Sequence, residues 1–244
     1  MSELNPTTPR PSPSIPHPSY SLAPRASPLA PLLYDLFHVA GMAAFTLGCS
    51  FRFEGTCRMP KTGPVLVIAN HQSFLDPWIV GLAVKRHLTY LARKTLFKNR
   101  LFARVIRSLN AVAVDQEGVG KEGMKTVIDQ LHQGRAVLVF PEGSRTPDGV
   151  MHELKPGIHL VIKRAPAAIV PIGIAGAYQA WPIWRRYPIP APLFLPPGEG
   201  TIGVSVGRPL DSRIYAALPR AQALDLLFQE LHKVQRRAEK LRRR

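Results

Sequence analysis

With 244 residues, 45% of them hydrophobic, the chain is long enough for one sizeable α/β domain plus tails, which argues against several domains. Thirty-two Lys and Arg residues against 16 Asp and Glu residues give a formal charge of +16, which favours anionic partners: a membrane surface, an acidic carrier protein, phosphate or nucleic acid. Cys49 and Cys57 are too few for a disulfide framework and lack a metal-ligand spacing, so we expect two thiols in a reducing compartment.

The N-terminal region divides into a polar tail and a hydrophobic helix. Residues 1–31 are rich in Pro and Ser and poor in large apolar side chains, which predicts a disordered tail and no signal peptide. Residues 32–51 predict a membrane-associating hydrophobic helix, although Asp35 and His38 disfavour full spanning. A helix docked on the domain and a helix lying in the membrane interface both remain open.

Residues 52–218 alternate short β-rich runs with helical stretches. The predicted strands cover residues 65–69, 88–92, 111–114, 136–140, 169–174 and 201–206. Because several of these runs are apolar throughout, both faces of the sheet should be covered. The pattern predicts an α/β fold with a mostly parallel central sheet flanked by helices, and functional residues in loops at the strand ends.

Residues 219–244 form a predicted basic amphipathic helix. Apolar residues from Leu224 to Leu241 recur at helical spacing, and cations crowd the C-terminal end. We favour a helix packed on the core with a solvated end, and the same segment could also contact anionic lipid.

The first cluster of side chains that could take part in a reaction is NHQSFLD, residues 70–76, directly after a predicted strand. Asp76 and Pro77 have the pattern of a helix start, with Asp76 as the capping residue. His71 therefore lies in a strand-to-helix loop, where it could take a proton from a hydroxyl while Asp76 orients its ring. Plain capping by Asp76 and a backbone bond by His71 are the alternatives.

A second cluster, FPEGSRT at residues 140–146, follows another buried strand. Gly143 allows close backbone approach, Ser144 and Thr146 offer hydroxyl donors, and Arg145 offers a planar fork that matches phosphate oxygens. The segment reads as a phosphate-holding loop, and its alternative is a polar turn with a surface ion pair between Glu142 and Arg145.

Together NHQSFLD, FPEGSRT and Val170-Pro171-Ile172 resemble, in order and spacing, the glycerolipid acyltransferase family that includes 1-acylglycerol-3-phosphate acyltransferases. The resemblance covers roughly residues 60–210 and implies a glycerol-3-phosphate acyltransferase-like fold. It implies direct acyl transfer, without an acyl-enzyme, from acyl-CoA or acyl carrier protein to the hydroxyl of a lyso-lipid. It also implies His71 as general base, Asp76 as its orienting partner, Glu142 and Arg145 in acceptor binding, and residues 170–172 in shaping the site. No metal or bound cofactor is implied.

The sequence departs from the family pattern at Gln116, where an arginine usually helps to hold the acceptor phosphate. Arg93 and Lys94, at the end of a predicted strand, could supply the missing charge. Lysophosphatidic acid is therefore the leading acceptor, with phosphatidic acid as product, and another lyso-lipid such as lyso-ornithine lipid is the alternative.

Two rival functions fit single features of the chain. Residues 118–123 match the dinucleotide pattern G-x-G-x-x-G, but a polar run separates them from the preceding strand, so a flexible loop before a helix at 121–133 is favoured over NAD binding. The high charge alone would give only nonspecific nucleic-acid affinity, and no specific nucleic-acid partner is expected.

A loop at residues 180–197 places Trp181, Trp184 and Tyr187 among prolines and arginines. These aromatic side chains suit a bilayer interface, and packing under a long loop is the equal alternative. We expect a membrane-associated enzyme on the cytoplasmic face, in contact with an anionic membrane surface.

Overall fold

The computed structural model describes residues 29–114, 120–194 and 196–243, so the predicted tail lies outside the described residues apart from its last three. Helix α1 (Leu29–Cys49) begins at Leu29 rather than at residue 32 and ends before residue 51. Among the described helices, none combines the length and the apolar character needed to cross a bilayer.

The elements after α1 alternate strands and helices along the chain. They are β1 (Arg52–Glu54), β2 (Val65–Ala69), α2 (Asp76–Ala83), β3 (Leu88–Arg93), α3 (Arg100–Ser108), β4 (Ala111–Val114), α4 (Lys121–His132), β5 (Ala136–Val139), α5 (Gly157–Arg164), β6 (Ala168–Ala175), α6 (Ala177–Ala180), β7 (Gly203–Val206), β8 (Leu210–Asp211), α7 (Ser212–Ala217) and α8 (Arg220–Arg242). Short 3-10 helices cover Thr56–Arg58 and Lys94–Phe97.

All six predicted strands are present, and β2 and β4 have the predicted bounds. The structure adds β1 and β8, which the sequence analysis missed because three and two residues are too few to reveal an alternating pattern. The predicted helix at 121–133 corresponds to α4.

The strands form one sheet in the order β1-β7-β6-β2-β5-β3-β4, with β8 also paired to β6. Strands β7 and β8 run antiparallel to β6, and the other neighbouring pairs are parallel. This confirms the predicted α/β fold with a mostly parallel sheet. Pro171 falls between the part of β6 that pairs with β8 and the part that pairs with β7, where its missing N–H removes no bond to either strand.

Helices cover both faces of the sheet, as the continuous apolar runs predict. In β2, Val65, Val67 and Ala69 face a core that includes residues of α1 and α2. Leu66 and Ile68 face a second core that includes residues of α4, α5 and α8. Alternate side chains of one strand therefore enter two different cores, so β2 is packed on both faces up to its carboxyl end.

Helix α8 packs on the sheet, so the predicted core-packed helix is confirmed. Its buried side chains are Ala223, Leu227, Leu231, Val234 and Ala238. The approach is close at Gly173 of β6, where a Cβ atom would lie 2.2 Å from the backbone nitrogen of Gln235. Contact between the basic end of α8 and anionic lipid stays a prediction.

Candidate active site

The two sequence motifs meet at one edge of the sheet. His71 follows β2, the loop with Glu142 follows β5, and Arg93 ends β3. Because β2, β5 and β3 are parallel neighbours, their carboxyl ends lie side by side. This sheet edge is the place where a parallel α/β fold presents functional loops.

His71 and Asp76 are bonded to each other within this edge. His71 Nδ1 lies 2.7 Å from Asp76 Oδ2, and the two residues are 8% and 0% exposed. The same carboxylate oxygen accepts the backbone N–H groups of Gln72 and Ser73. The imidazole and two backbone N–H groups thus converge on one buried oxygen, which holds the imidazole ring in one orientation.

The carboxylate of Asp76 does not cap helix α2, contrary to the helix-start interpretation of the sequence. The helix does begin at Asp76 with Pro77 next, but the capping position is Leu75 and no side chain caps it. Asp76 turns back to residues 71–73 because the imidazole and two N–H groups there offer it three hydrogen bonds.

Neighbouring strands and loops fix the main chain around His71. The Asn70 amide group bonds to both the N–H and the C=O of Ile174 in β6, at 2.8 and 3.0 Å. The carbonyl of His71 accepts the N–H of Thr146 at 2.9 Å. The His71 ring stacks on Phe140, with 3.9 Å between ring centroids. The histidine is thus held between the ends of β5 and β6.

Glu142 is buried and supports this loop directly. One carboxylate oxygen accepts the His71 N–H at 2.7 Å, and the other accepts the His152 N–H at 2.8 Å. Burial raises the pKa of the Glu142 carboxyl above its usual range, partly offset by the N–H donors of His152 and His71. Acceptor binding by Glu142 stays a prediction, and both of its oxygens are already engaged by the backbone.

Arg145 lies over an aromatic ring of residues 70–75, the segment between β2 and α2 that we name the catalytic loop after the role predicted for His71. Its guanidinium carbon is 3.5 Å from the centroid of the Phe74 ring, and Phe74 is half exposed. Ser144 is exposed, whereas Thr146 is buried and its hydroxyl donates to Asp148. Within this cluster, Ser144 is therefore exposed and Arg145 partly exposed, and their role in phosphate binding stays a prediction.

The glycine of this cluster has a backbone conformation that other residues rarely adopt. Gly143 has φ of +79°, in the region that favours glycine, and a Cβ atom would lie 3.3 Å from Lys155 Cγ. Glu142, directly before this glycine, is buried, whereas Ser144, directly after it, is exposed.

Arg93 and Lys94 are exposed at the end of β3, and Lys94 pairs with Glu122 at 3.1 Å. They share the sheet edge with His71, and their role in binding stays a prediction. Gln116 lies outside the described residues, as do Gly118 and Val119 of the dinucleotide pattern.

The sequence analysis missed several residues that build the site. Asn70, Phe140 and Phe74 belong to the quoted motifs, and their membership of these motifs was the only signal that the sequence offered for them. By contrast, the Ser73 hydroxyl donates to the carbonyl of Trp181, 108 residues away, at 2.7 Å. No pattern within either segment indicates that contact.

The arrangement defines a class of enzyme. With Nδ1 bonded to a buried carboxylate, Nε2 of His71 is the nitrogen able to take a proton from a hydroxyl group. A parallel α/β sheet presents this pair at its carboxyl edge, beside a loop that carries an arginine. The site therefore fits a transferase or hydrolase that activates a hydroxyl group or water.

The sequence profile of the Acyltransferase family matches residues 50–175, more than half of the chain, and the chain belongs to this family. The 1-acyl-sn-glycerol-3-phosphate acyltransferase of Bacillus subtilis is 25% identical over 175 residues, which is 71% of this chain and 80% of that protein. The protein of the same name from Streptococcus pneumoniae is 32% identical over 51% of this chain, an alignment that spans 47% of the pneumococcal protein.

The fold also matches a solved structure. The crystal structure of the 1-acyl-sn-glycerophosphate acyltransferase PlsC from Thermotoga maritima superposes with a TM-score of 0.70 at 24% identity, covering 88% of this chain and 82% of that one. The likeness in sequence and in fold confirms the resemblance inferred from the three motifs.

Proposed function

We propose that the protein transfers a fatty acyl group from acyl-CoA or acyl carrier protein to the free hydroxyl of 1-acylglycerol-3-phosphate, giving phosphatidic acid in phospholipid biosynthesis. The observation that carries this proposal is the buried His71–Asp76 pair, 2.7 Å apart, beside the loop with Arg145. The names of the relatives from Bacillus subtilis and Streptococcus pneumoniae support the acceptor.

In the proposed mechanism, Nε2 of His71 removes the proton of the acceptor hydroxyl as its oxygen attacks the thioester carbonyl. The tetrahedral intermediate then collapses, the carbon–sulfur bond breaks, and the imidazolium returns the proton to the departing thiolate. The buried carboxylate of Asp76 stabilises the imidazolium between these two steps. The acyl group passes directly from donor to acceptor, so no metal, bound cofactor or acyl-enzyme is required.

For the acceptor phosphate we propose Arg145 as the main ligand, because a guanidinium fork matches phosphate oxygens. The guanidinium of Arg145, in the loop after β5, stacks on Phe74 of the catalytic loop, which supports a phosphate site next to His71. Ser144 adds a hydroxyl donor, Gly143 keeps the backbone accessible, and Arg93 and Lys94 add positive charge at the same sheet edge. Lyso-ornithine lipid is the alternative acceptor, because Gln116 replaces a cation and a zwitterionic head group needs fewer of them.

The proposed site lies at a membrane interface on the cytoplasmic side, and helix α1 supports the membrane contact. Leu36, Val39 and Leu47 are each more than 60% exposed and, with the exposed Ala43, recur every three or four residues. They form one apolar stripe, while Met42 and other residues of α1 pack on the core. A helix docked on one side and apolar on the other can lie flat in a lipid surface.

The deciding experiment gives the purified protein one labelled acyl-CoA and a panel of lyso-lipids in detergent micelles. We expect lysophosphatidic acid to be acylated and His71→Ala to lose at least roughly 100-fold in kcat with an unchanged Tm. His132→Ala is the matched control, because His132 is an exposed histidine at the end of α4. Near-normal turnover by His71→Ala would refute the mechanism. Acylation of lyso-ornithine lipid alone would show that this lipid, and not lysophosphatidic acid, is the acceptor.

A further inference from the structure

Residues 181–194, named the aromatic loop, connect the catalytic loop to helix α1. At one end, the Trp181 carbonyl accepts the Ser73 hydroxyl, and the Trp181 ring lies 5.8 Å from the ring of Phe74. At the other end, the N–H groups of Ala191 and Leu193 donate to the carbonyls of Gly48 and Leu47, at 2.7 and 3.2 Å. The aromatic loop is thus attached at one end to the catalytic loop and at the other end to helix α1.

Between these attachments the aromatic loop exposes large apolar side chains. Trp184 is 66% exposed, Tyr187 67% and Phe194 84%, and Ile183 and Leu193 are also exposed. Several exposed large apolar side chains within one short segment are typical of an interaction site. Trp181 differs from its neighbours, because its indole N–H donates to the Arg185 carbonyl and its ring packs beside the catalytic loop.

The charges of the aromatic loop favour an anionic lipid surface as the partner. Residues 181–194 contain two arginines and no acidic residue. The guanidinium carbon of Arg185 lies 4.9 Å from the Trp184 ring centroid, and that of Arg186 lies 5.4 Å from the Tyr187 ring centroid. Aromatic rings paired with cations suit the boundary between head groups and acyl chains, where one part of the pair is apolar and the other meets phosphate.

The backbone of the aromatic loop also suits that boundary. Prolines at positions 182, 188, 190 and 192 remove four N–H groups that would otherwise need hydrogen-bond partners away from water. The N–H of Ile189 donates to the carbonyl of Ala180 at 2.7 Å, which closes the base of the loop. The exposed rings are therefore presented by a constrained segment, which lowers the entropy lost on insertion.

We propose that the aromatic loop inserts Trp184, Tyr187 and Phe194 into the interface of an anionic bilayer, as a second membrane contact beside helix α1. Backbone bonds join the loop to α1 at Leu47, whose exposed side chain belongs to the apolar stripe of that helix. The Trp181 contacts join it to the catalytic loop, so insertion holds His71 at the lipid surface where an acceptor resides. This inference rests on the proposed function for its acceptor lipid.

The test compares the full chain with Trp184→Ser/Phe194→Ser by flotation with vesicles of phosphatidylcholine, with and without phosphatidylglycerol. The matched control is Leu160→Ser/Ile214→Ser, which removes exposed apolar side chains from α5 and α7. We expect the loop variant to bind phosphatidylglycerol vesicles at least about tenfold more weakly, and the control to bind like the wild type. Unchanged binding by the loop variant, or equal weakening in the control, would overturn the proposal.

Two further measurements separate other outcomes. Sedimentation of the lipid-free proteins would reveal whether the aromatic loop instead joins two copies of the chain. If the loop variant lost a dimer and still bound vesicles like the wild type, the assignment of lipid as the partner of the loop would be overturned. Turnover of a short-chain, water-soluble lyso-lipid should be equal in wild type and loop variant, because Trp184 and Phe194 lie outside the catalytic machinery. If the wild type acylates no acceptor but the vesicle result holds, the proposed function fails and the membrane contact stands.

Discussion

Substitution of Glu142 by glutamine distinguishes support of the catalytic loop from acceptor binding. The wild-type carboxylate accepts two backbone N–H groups, from His71 at 2.7 Å and from His152 at 2.8 Å. Glutamine has nearly the same shape but only one acceptor oxygen, so one N–H would face the amide NH₂ group. A buried donor left without its acceptor costs about 1–3 kcal/mol.

The expected result has two parts. In a protein of this size, a loss of 1 kcal/mol lowers the Tm by roughly 2–4 °C, so Glu142→Gln should melt about 2–12 °C below the wild type. Because the carboxylate links the main chains of His71 and His152, loss of either bond loosens the support of His71, and kcat should fall by about tenfold or more with a smaller change in the KM for the acceptor. Thermal unfolding followed by circular dichroism and steady-state kinetics would measure the two effects.

Glu153→Gln is the matched control, because Glu153 is exposed and lies next to His152 in the chain. It should leave Tm and kcat unchanged. If Glu142→Gln instead kept the wild-type Tm and kcat and raised only the acceptor KM, the reasoning from its hydrogen bonds would be refuted. In that case the acceptor-binding role predicted from the sequence would be favoured.

Three other predictions follow from single contacts. Arg145→Ala should raise the acceptor KM by about tenfold or more, with a smaller effect on kcat. Arg145→Lys should have an intermediate acceptor KM, since lysine lacks the planar fork. Equal KM values for all three proteins would exclude the phosphate role. Gly173→Ala should lower the free energy of unfolding in denaturant titrations by about 1–3 kcal/mol or more. The reason is that the added Cβ would lie 2.2 Å from the backbone of α8. Gly198→Ala is the control and should leave the free energy of unfolding unchanged, because an added Cβ there meets open space. In alkylation followed by mass spectrometry, the exposed Cys57 should react well before Cys49. Partial burial shields the Cys49 thiol and raises its pKa, which lowers its reactivity. Equal alkylation rates would contradict the burial of Cys49.

The sequence alone determined the scaffold and the position of the chemistry. Apolar runs reported strands buried on both faces, and each of the two motifs followed such a run, so both had to lie at the carboxyl edge of a parallel sheet. Local residue types sufficed for this because an apolar run and the polar turn that follows it are both visible within a few positions of the chain. The order and spacing of the motifs then indicated the acyltransferase family, which the family profile confirms.

Only the tertiary structure decided what each polar side chain contacts. Asp76 has the sequence signature of a helix cap, yet its carboxylate turns back to His71 and the two following N–H groups. Glu142 bonds the backbone of a residue 71 positions earlier, and Ser73 bonds the carbonyl of Trp181, 108 positions later. A buried polar group takes whichever partner the packed elements bring within about 3 Å, and that choice depends on strand order and loop paths rather than on local sequence.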